Sequence, residues 1–253
     1  MLLVIDIGNS NIVFGLYDKG KFIDSWRISS RKKQSSDEYG LLMCELLGFK
    51  NISVKNVSDI VISSVVPPLN RVINKVCNKY FNNKPLFIKP GIKTSIAILA
   101  DNPVEVGADR IANSVAAYHQ YGASIVVDFG TSTNFDVVTS RGEYIGGAIV
   151  PGLNMSADAL FYQTARLPKV EIKKPARVIG KNTVECMQSG LFFGYTKLID
   201  GIIDLMKEEI KENVTTVMTG GFAELFFKEL KNVTKYDPLL TLEGLRLIHE
   251  KNS

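Results

Sequence analysis

The sequence predicts an α/β protein of two similar domains, each opened by a strand that ends in an acid and turns through glycine. Three observations predict this. The elements run strand, strand, strand, helix, strand, helix, strand, which is the order of a mixed α/β domain. The stretch Ile125 to Gly147 (IVVDFGTSTNFDVVTSRGEYIGG) then reads as a buried strand, the acid Asp128, a tight turn of small residues, a second strand, a turn through Arg141-Gly142 and a third strand. The same arrangement opens the chain. Asp6 and Asp128 are 122 positions apart, and at that spacing Gly8 falls on Gly130, Ser10 on Ser132, Gly20 on Gly142 and Phe22 on Tyr144. Turn chemistry alone accounts for the glycines but not for a matched acid at the end of an apolar strand. The repeat is far too long for a solenoid and means two related domains.

Residues 2–29 read as three antiparallel strands, LLVIDI, NIVFGLYD and KFIDSWRI, with Asp18-Lys19-Gly20 as the second turn. SSDEYGLLMCELLGF reads as a helix with Ser35 or Ser36 as N-cap and Gly48 near its end. VSDIVISSVV is a buried strand, and Pro67-Pro68 interrupts it and starts the helix LNRVINKVCNKYF. LFIK is a short strand. Asn102 to Arg110 holds a Pro and a Gly before the alanine-rich helix RIANSVAAYHQY. The domain boundary is expected beside this helix, giving domains 1–114 and 115–253. The second domain continues through a loop and helix (VPGLNMSADALFYQTARLP), an irregular segment with Pro175 and Gly180, and a long apolar-faced helix from Thr183. Gly190 and Gly194 lie one turn apart on that helix and would let another backbone pack closely, so it is a candidate dimerisation helix. Strand, glycine turn and helix follow in TTVMTGGFAELFFKEL, and LLTLEGLRLIHEKN is a final helix.

Composition excludes several classes. The 253 residues are 45% hydrophobic and 22% charged, as in an ordinary globular protein, and long enough to bury one core or two. A net charge of +4, with acids scattered among the lysines, gives no case for nucleic acid. No apolar run reaches membrane-spanning length, and the N-terminus enters a strand without a basic leader. Cys44, Cys77 and Cys186 are odd in number and widely spaced, which argues for reduced thiols, a cytoplasmic setting and no zinc site.

An acid inside an apolar strand is costly unless something pairs with it. Glycine directly after it lets a ligand approach the backbone, and successive turn amides grip phosphate oxygens. Two such hairpins facing each other would flank a nucleotide. Thr219 to Ala223 (TGGFA) would add a third glycine turn, opening a helix where phosphate or adenosine could sit.

The start DIGNS, the tetrapeptide GADR, the hairpin DFGT, the closing TGG, and the runs GGAIVPGLNMSADAL, TARLP and IGKNTVECMQSGLFFGY resemble the type III pantothenate kinases over residues 1 to about 245. That family lies within the actin, heat-shock chaperone and sugar kinase superfamily, whose fold is a pair of ribonuclease H-like domains. The resemblance implies transfer of the γ-phosphoryl of ATP to pantothenate, the first step towards coenzyme A. It also implies Mg²⁺, a monovalent cation (K⁺ or NH4⁺) and a homodimer. It places Asp6, Ile7, Gly8, Asn9, Ser10, Asn11, Ile12 and Val13 in the ATP-binding hairpin and adds Thr131 as an ATP contact. Asp6 would hold hydrated Mg²⁺ through water and Asp128 the monovalent cation. Gly107, Ala108, Asp109 and Arg110 match the pantothenate-binding segment, with Asp109 the general base and Arg110 facing the substrate carboxylate. Thr183 matches a contact made from the partner subunit.

The residues also admit plainer roles. Asp109 would serve as an N-cap for its helix and Thr183 as an N-cap for the long helix that follows it. Arg110 would pair with Glu105 on the surface, and His119 and His249 read as bystanders. The family carries tyrosine where this chain has Ala100, which bears on the shape of the pantothenate pocket. A sugar or acetate kinase of the same superfamily lacks the GADR segment. A regulatory relative would be expected to have lost one of Asp6, Asp109 and Asp128.

Overall fold

A computed structural model describes residues 1–253. The chain forms two compact units: residues 1–95, 101–116 and 240–253, and residues 96–100 and 117–239.

The first unit is built on the sheet β3-β2-β1-β4-β5. Strands β1 (Leu2–Ile7), β2 (Asn11–Asp18) and β3 (Lys21–Ser29) form an antiparallel meander, and β4 (Asp59–Ser64) and β5 (Leu86–Phe87) run parallel to β1. Alternation along the strands sends Leu3, Ile5, Ile7, Ile12, Phe14, Leu16, Ile60 and Ile62 into one core. Helices α1 (Ser36–Gly48) and α2 (Pro67–Tyr80) cover that face with Tyr39, Met43, Leu47, Leu69 and Ile73. Ser35 caps α1 in a reciprocal pair with Glu38, and Pro67 opens α2, as the sequence predicts. Trp26 stacks on Phe14 at 5.4 Å.

Helix α3 (Ala108–Tyr121) follows, and the last helix of the chain, α8 (Leu240–Asn252), returns to this unit. The units are therefore not two contiguous halves. A Cβ at Gly244 would lie 1.9 Å from the Ala112 carbonyl oxygen, so α8 and α3 touch backbone to backbone. The Thr241 hydroxyl donates to Asn113 Oδ1 at 2.7 Å beside that contact.

The second unit carries the sheet β11-β10-β7-β8-β9-β6. Here β7 (Ser124–Phe129), β8 (Ser132–Val138) and β9 (Glu143–Pro151) repeat the meander, and β10 (Thr215–Gly220) runs parallel to β7. Two short strands, β6 (Ala97–Ile98) and β11 (Lys235–Tyr236), complete the edges. The two hairpins differ by one residue. Asp6 pairs with Val13, but Asp128 pairs with Asn134, so Ser10 lies in its turn while Ser132 already opens β8. Helix α4 is Leu153–Tyr162. The long helix expected from Thr183 forms: α5 (Thr183–Ser189) continues through a wide π-helical turn at Gly190–Gly194 into α6 (Tyr195–Ile210), with helical backbone at both junctions. Helix α7 is the short piece Ala223–Phe227. Phe129, Phe192, Ile199, Met218 and Phe226 form this unit's core, with Phe226 stacked on both other phenylalanines.

Candidate active site

In the first unit the candidate residues collect at the C-terminal ends of the parallel strands β1 and β4, where open α/β sheets bind their ligands. Asp6 is the penultimate residue of β1, half-buried, beside Ser63 of β4 in register. The chain then turns through Gly8, Asn9 and Ser10, closed by the Gly8 amide donating to the Asn11 carbonyl at 2.9 Å. Asn9 and Ser10 are exposed. The side chains of Ile7 and Ile12 are wholly buried in the core, which leaves only their backbones for contact with a ligand.

The GADR segment reaches the same edge. The Val65 amide, one residue past β4, donates to the Ile7 carbonyl at 3.0 Å. A Cβ built on Gly107 would lie 3.5 Å from Val65 Cγ1 and 2.5 Å from Asp109 Oδ1. The carboxylate therefore folds back over Gly107, in space that only glycine leaves open. Helix α3 begins at Ala108, and the Ile111 amide donates to the Gly107 carbonyl at 3.1 Å. Asp109 thus lies inside the first turn rather than at the N-cap, and its Oδ1 accepts from the Arg110 amide at 2.8 Å. Desolvation pushes the Asp109 carboxyl above the usual carboxylate range, while the Arg110 amide and guanidinium pull the other way. A half-buried carboxylate whose pKa is raised by desolvation, at a strand-end site, is suited to taking a proton.

In the second unit the acid and two glycine turns converge. Thr219 pairs with Asp128 across β10 and β7, and the Gly221 amide donates to the Phe129 carbonyl at 3.0 Å. Gly220 has φ +94°, and a Cβ there would lie 2.6 Å from Asp128 Oδ1 and from the backbone of Phe129. The TGG turn is thereby laid against the Asp128 carboxylate. Gly130 and Thr131 form the exposed hairpin tip. Gly152, at the start of α4, lies so close beneath that a Cβ would meet the Thr131 carbonyl oxygen at 2.1 Å. Sequence reasoning missed Gly152 as part of this turn, although PGLN before a helix was a legible signal for it. No group of three or more His, Cys, Asp or Glu side chains forms a metal cage. Single carboxylates with backbone oxygens nearby suit a hydrated Mg²⁺ or a hard monovalent cation instead.

Thr183 opens α5, but the cap of that helix is Asn182, whose Oδ1 accepts from the Glu185 amide at 2.9 Å. The cap role is therefore not Thr183's. Thr183 is exposed and lines a largely apolar cavity of about 700 Å³ with Met187, Leu191 and Leu198.

The type III pantothenate kinase family model matches residues 2–205. A type III pantothenate kinase of Geotalea daltonii is 51% identical over 253 residues, covering 100% of this chain and 99% of the relative. One of Acidobacterium capsulatum is 50% identical, covering 99% and 94%. Among solved structures, a Baf family transcriptional activator from Campylobacter jejuni has a TM-score of 0.60 at 21% identity, covering 99% and 98% of the two chains. A ROK hexokinase from Thermus thermophilus has a TM-score of 0.51 at 10% identity, covering 100% and 99%. At such identities these structures speak for the fold alone, which the chain shares with them over nearly its full length.

Proposed function

The chain belongs to the type III pantothenate kinase family, and on that premise we propose that it phosphorylates pantothenate with ATP to give 4′-phosphopantothenate, opening coenzyme A synthesis. The observation that carries the reading is the half-buried Asp109 carboxylate, held over Gly107 at the strand edge where Asp6 also lies.

Each residue then has a task. The hairpin Asp6–Val13 binds ATP chiefly through its backbone, and Thr131 is a further ATP contact. Asp6 would hold hydrated Mg²⁺, and Asp128 would hold K⁺ or NH4⁺. When bound there, the cations would offset the charge on the phosphates. Arg110 pairs with the pantothenate carboxylate, for which a planar guanidinium is the fitting donor. Asp109 accepts the proton of the pantothenate hydroxyl as its oxygen forms a bond to the γ-phosphorus and the bond to ADP breaks. Gly107 and Ala108 leave room for the substrate beside that carboxylate.

The active unit is a homodimer. Ile149, Met155, Tyr162 and Val184 of the second unit are exposed apolar side chains, and a Cβ at Gly190 or Gly194 would meet nothing within 4 Å. A second copy covering this face would let Thr183 serve the neighbour's site. The setting is cytoplasmic. All three cysteines are free, and burial pushes the Cys77 thiol up to about 12, consistent with an inert core thiol. No helix is long and apolar enough to cross a membrane.

The test is ATP consumption against pantothenate, hexoses and acetate, with mass spectrometry of the product. The expected outcome is ADP and one phosphorylated product with pantothenate alone. Turnover of a hexose or acetate without pantothenate would overturn the reading.

A further inference from the structure

We propose that Ser30 is a positioning residue for the nucleotide: by holding the carbonyls of Gly8 and Ser10 it aims the amides of Asn9 and Asn11 at the phosphates. The inference rests on the ATP-binding role proposed above for residues 6–13 and names a residue outside that segment.

Ser30 follows the last residue of β3, just beyond the final pair Asn11–Ser29. Its amide donates to the Ser10 carbonyl at 3.0 Å, and its hydroxyl donates to the Gly8 carbonyl at 2.5 Å. One residue therefore grips two carbonyls of the same turn. In a planar trans peptide the carbonyl and the following N–H point in opposite directions. Holding the Gly8 carbonyl towards β3 turns the Asn9 N–H away from it, and holding the Ser10 carbonyl does the same for the Asn11 N–H. The sense matters because a carbonyl oxygen facing a phosphate repels it, whereas an amide binds it.

The grip is rooted in the core. The Arg31 amide donates to the Tyr39 hydroxyl at 2.8 Å, and that hydroxyl donates back to the Arg31 carbonyl at 3.2 Å. Tyr39 is wholly buried on α1. The phosphate turn is thus tied to the first unit's core through Ser30, Arg31 and Tyr39, rather than only through its own hairpin. The exposed Arg31, Lys32 and Lys33 continue from the grip and put positive charge on that side of the turn.

The test compares wild type, Ser30→Ala, Ser30→Thr and Tyr39→Phe. ATP and pantothenate are varied separately, ATP binding is measured by calorimetry, and melting temperature is followed. Ser30→Ala should raise both KM and Kd for ATP about ten-fold, the loss of one well-oriented charge-assisted contact. KM for pantothenate and kcat should stay within about two-fold, since the lost binding is common to ground and transition states. Ser30→Thr keeps the hydroxyl and should behave as wild type, and Tyr39→Phe should weaken ATP in the same direction but less. A purely structural role would lower the melting temperature and leave ATP affinity of the folded protein unchanged. Wild-type ATP affinity in Ser30→Ala, or equal weakening of ATP and pantothenate, overturns the proposal. Should Ser30→Ala fail to fold, Thr and Val at this position make the same comparison, differing only in the hydroxyl. Failure of the wild type itself to bind ATP would refute the underlying function instead, and is read before any variant.

Discussion

Gly107→Ala probes the candidate base without touching it. The new Cβ would lie 2.5 Å from Asp109 Oδ1, and ordinary non-bonded contact begins near about 3.5 Å, so the carboxylate must retreat by about 1 Å. The other near neighbour, Val65 Cγ1, is at 3.5 Å and need not move. The clash is thus with the tip of a side chain, and the backbone can stay where it is. A misplacement of about 1 Å in a reacting group costs on the order of 10²-fold in rate, or roughly 2.7 kcal/mol of barrier. Stability should hold or rise slightly, because alanine restricts the unfolded chain by about 0.4–1 kcal/mol relative to glycine. The assay is kcat with saturating ATP and pantothenate, alongside thermal melting. The double variant Gly107→Ala/Asp109→Asn closes the cycle: if the alanine acts through the carboxylate, the double change costs no more than Asp109→Asn alone. Near-wild-type turnover of Gly107→Ala, or rate losses that multiply in the double variant, would refute the placement of Asp109 at the reacting hydroxyl.

Asp109→Asn should lower kcat by about 10²–10⁴-fold, the usual worth of a positioned acid–base group. Burial raises the folded-state pKa of Asp109, so wild-type stability falls as pH rises from the ordinary carboxylate range through that raised value. The Asn variant lacks this loss and should melt at or above wild type at neutral pH, with the gap closing in acid; a lower melting temperature at neutral pH would contradict it. Gly220→Ala should destabilise by about 1–3 kcal/mol, because φ is +94° and the new Cβ overlaps the backbone of Phe129; a denaturant titration measures this. Activity should rise with potassium or ammonium and stay low in sodium alone, and equal rates in all three salts would remove the cation role of Asp128. Thr183→Arg chains mixed with Asp109→Asn chains should regain activity if pockets are shared between subunits, and no recovery in demonstrated heterodimers would argue for a pocket built from one chain.

The sequence alone determined what depends on neighbours along the chain. The two acid-ended hairpins, the Ser35 cap of α1, the proline opening of α2 and the breaks at glycine were legible because each is set within a few residues. The runs GADR, DFGT and TGG likewise carried the family in their order and spacing. Tertiary structure alone decided which of these pieces meet. Gly220 touches Asp128 only because β10 pairs parallel to β7 through a long crossover. The final helix joins the first unit because Gly244 admits the backbone of α3. Ser30 reaches the carbonyls of Gly8 and Ser10 because β3 lies beside β2 in a particular register. The repeat offset set Ser10 opposite Ser132, yet strand pairing made the second turn one residue tighter. The helical pattern runs unbroken from Thr183, yet the helix widens to a π turn at Gly190–Gly194. These contacts join residues distant in sequence. Local propensity carries no information about them, because they are chosen by the burial and hydrogen bonding of the whole chain together.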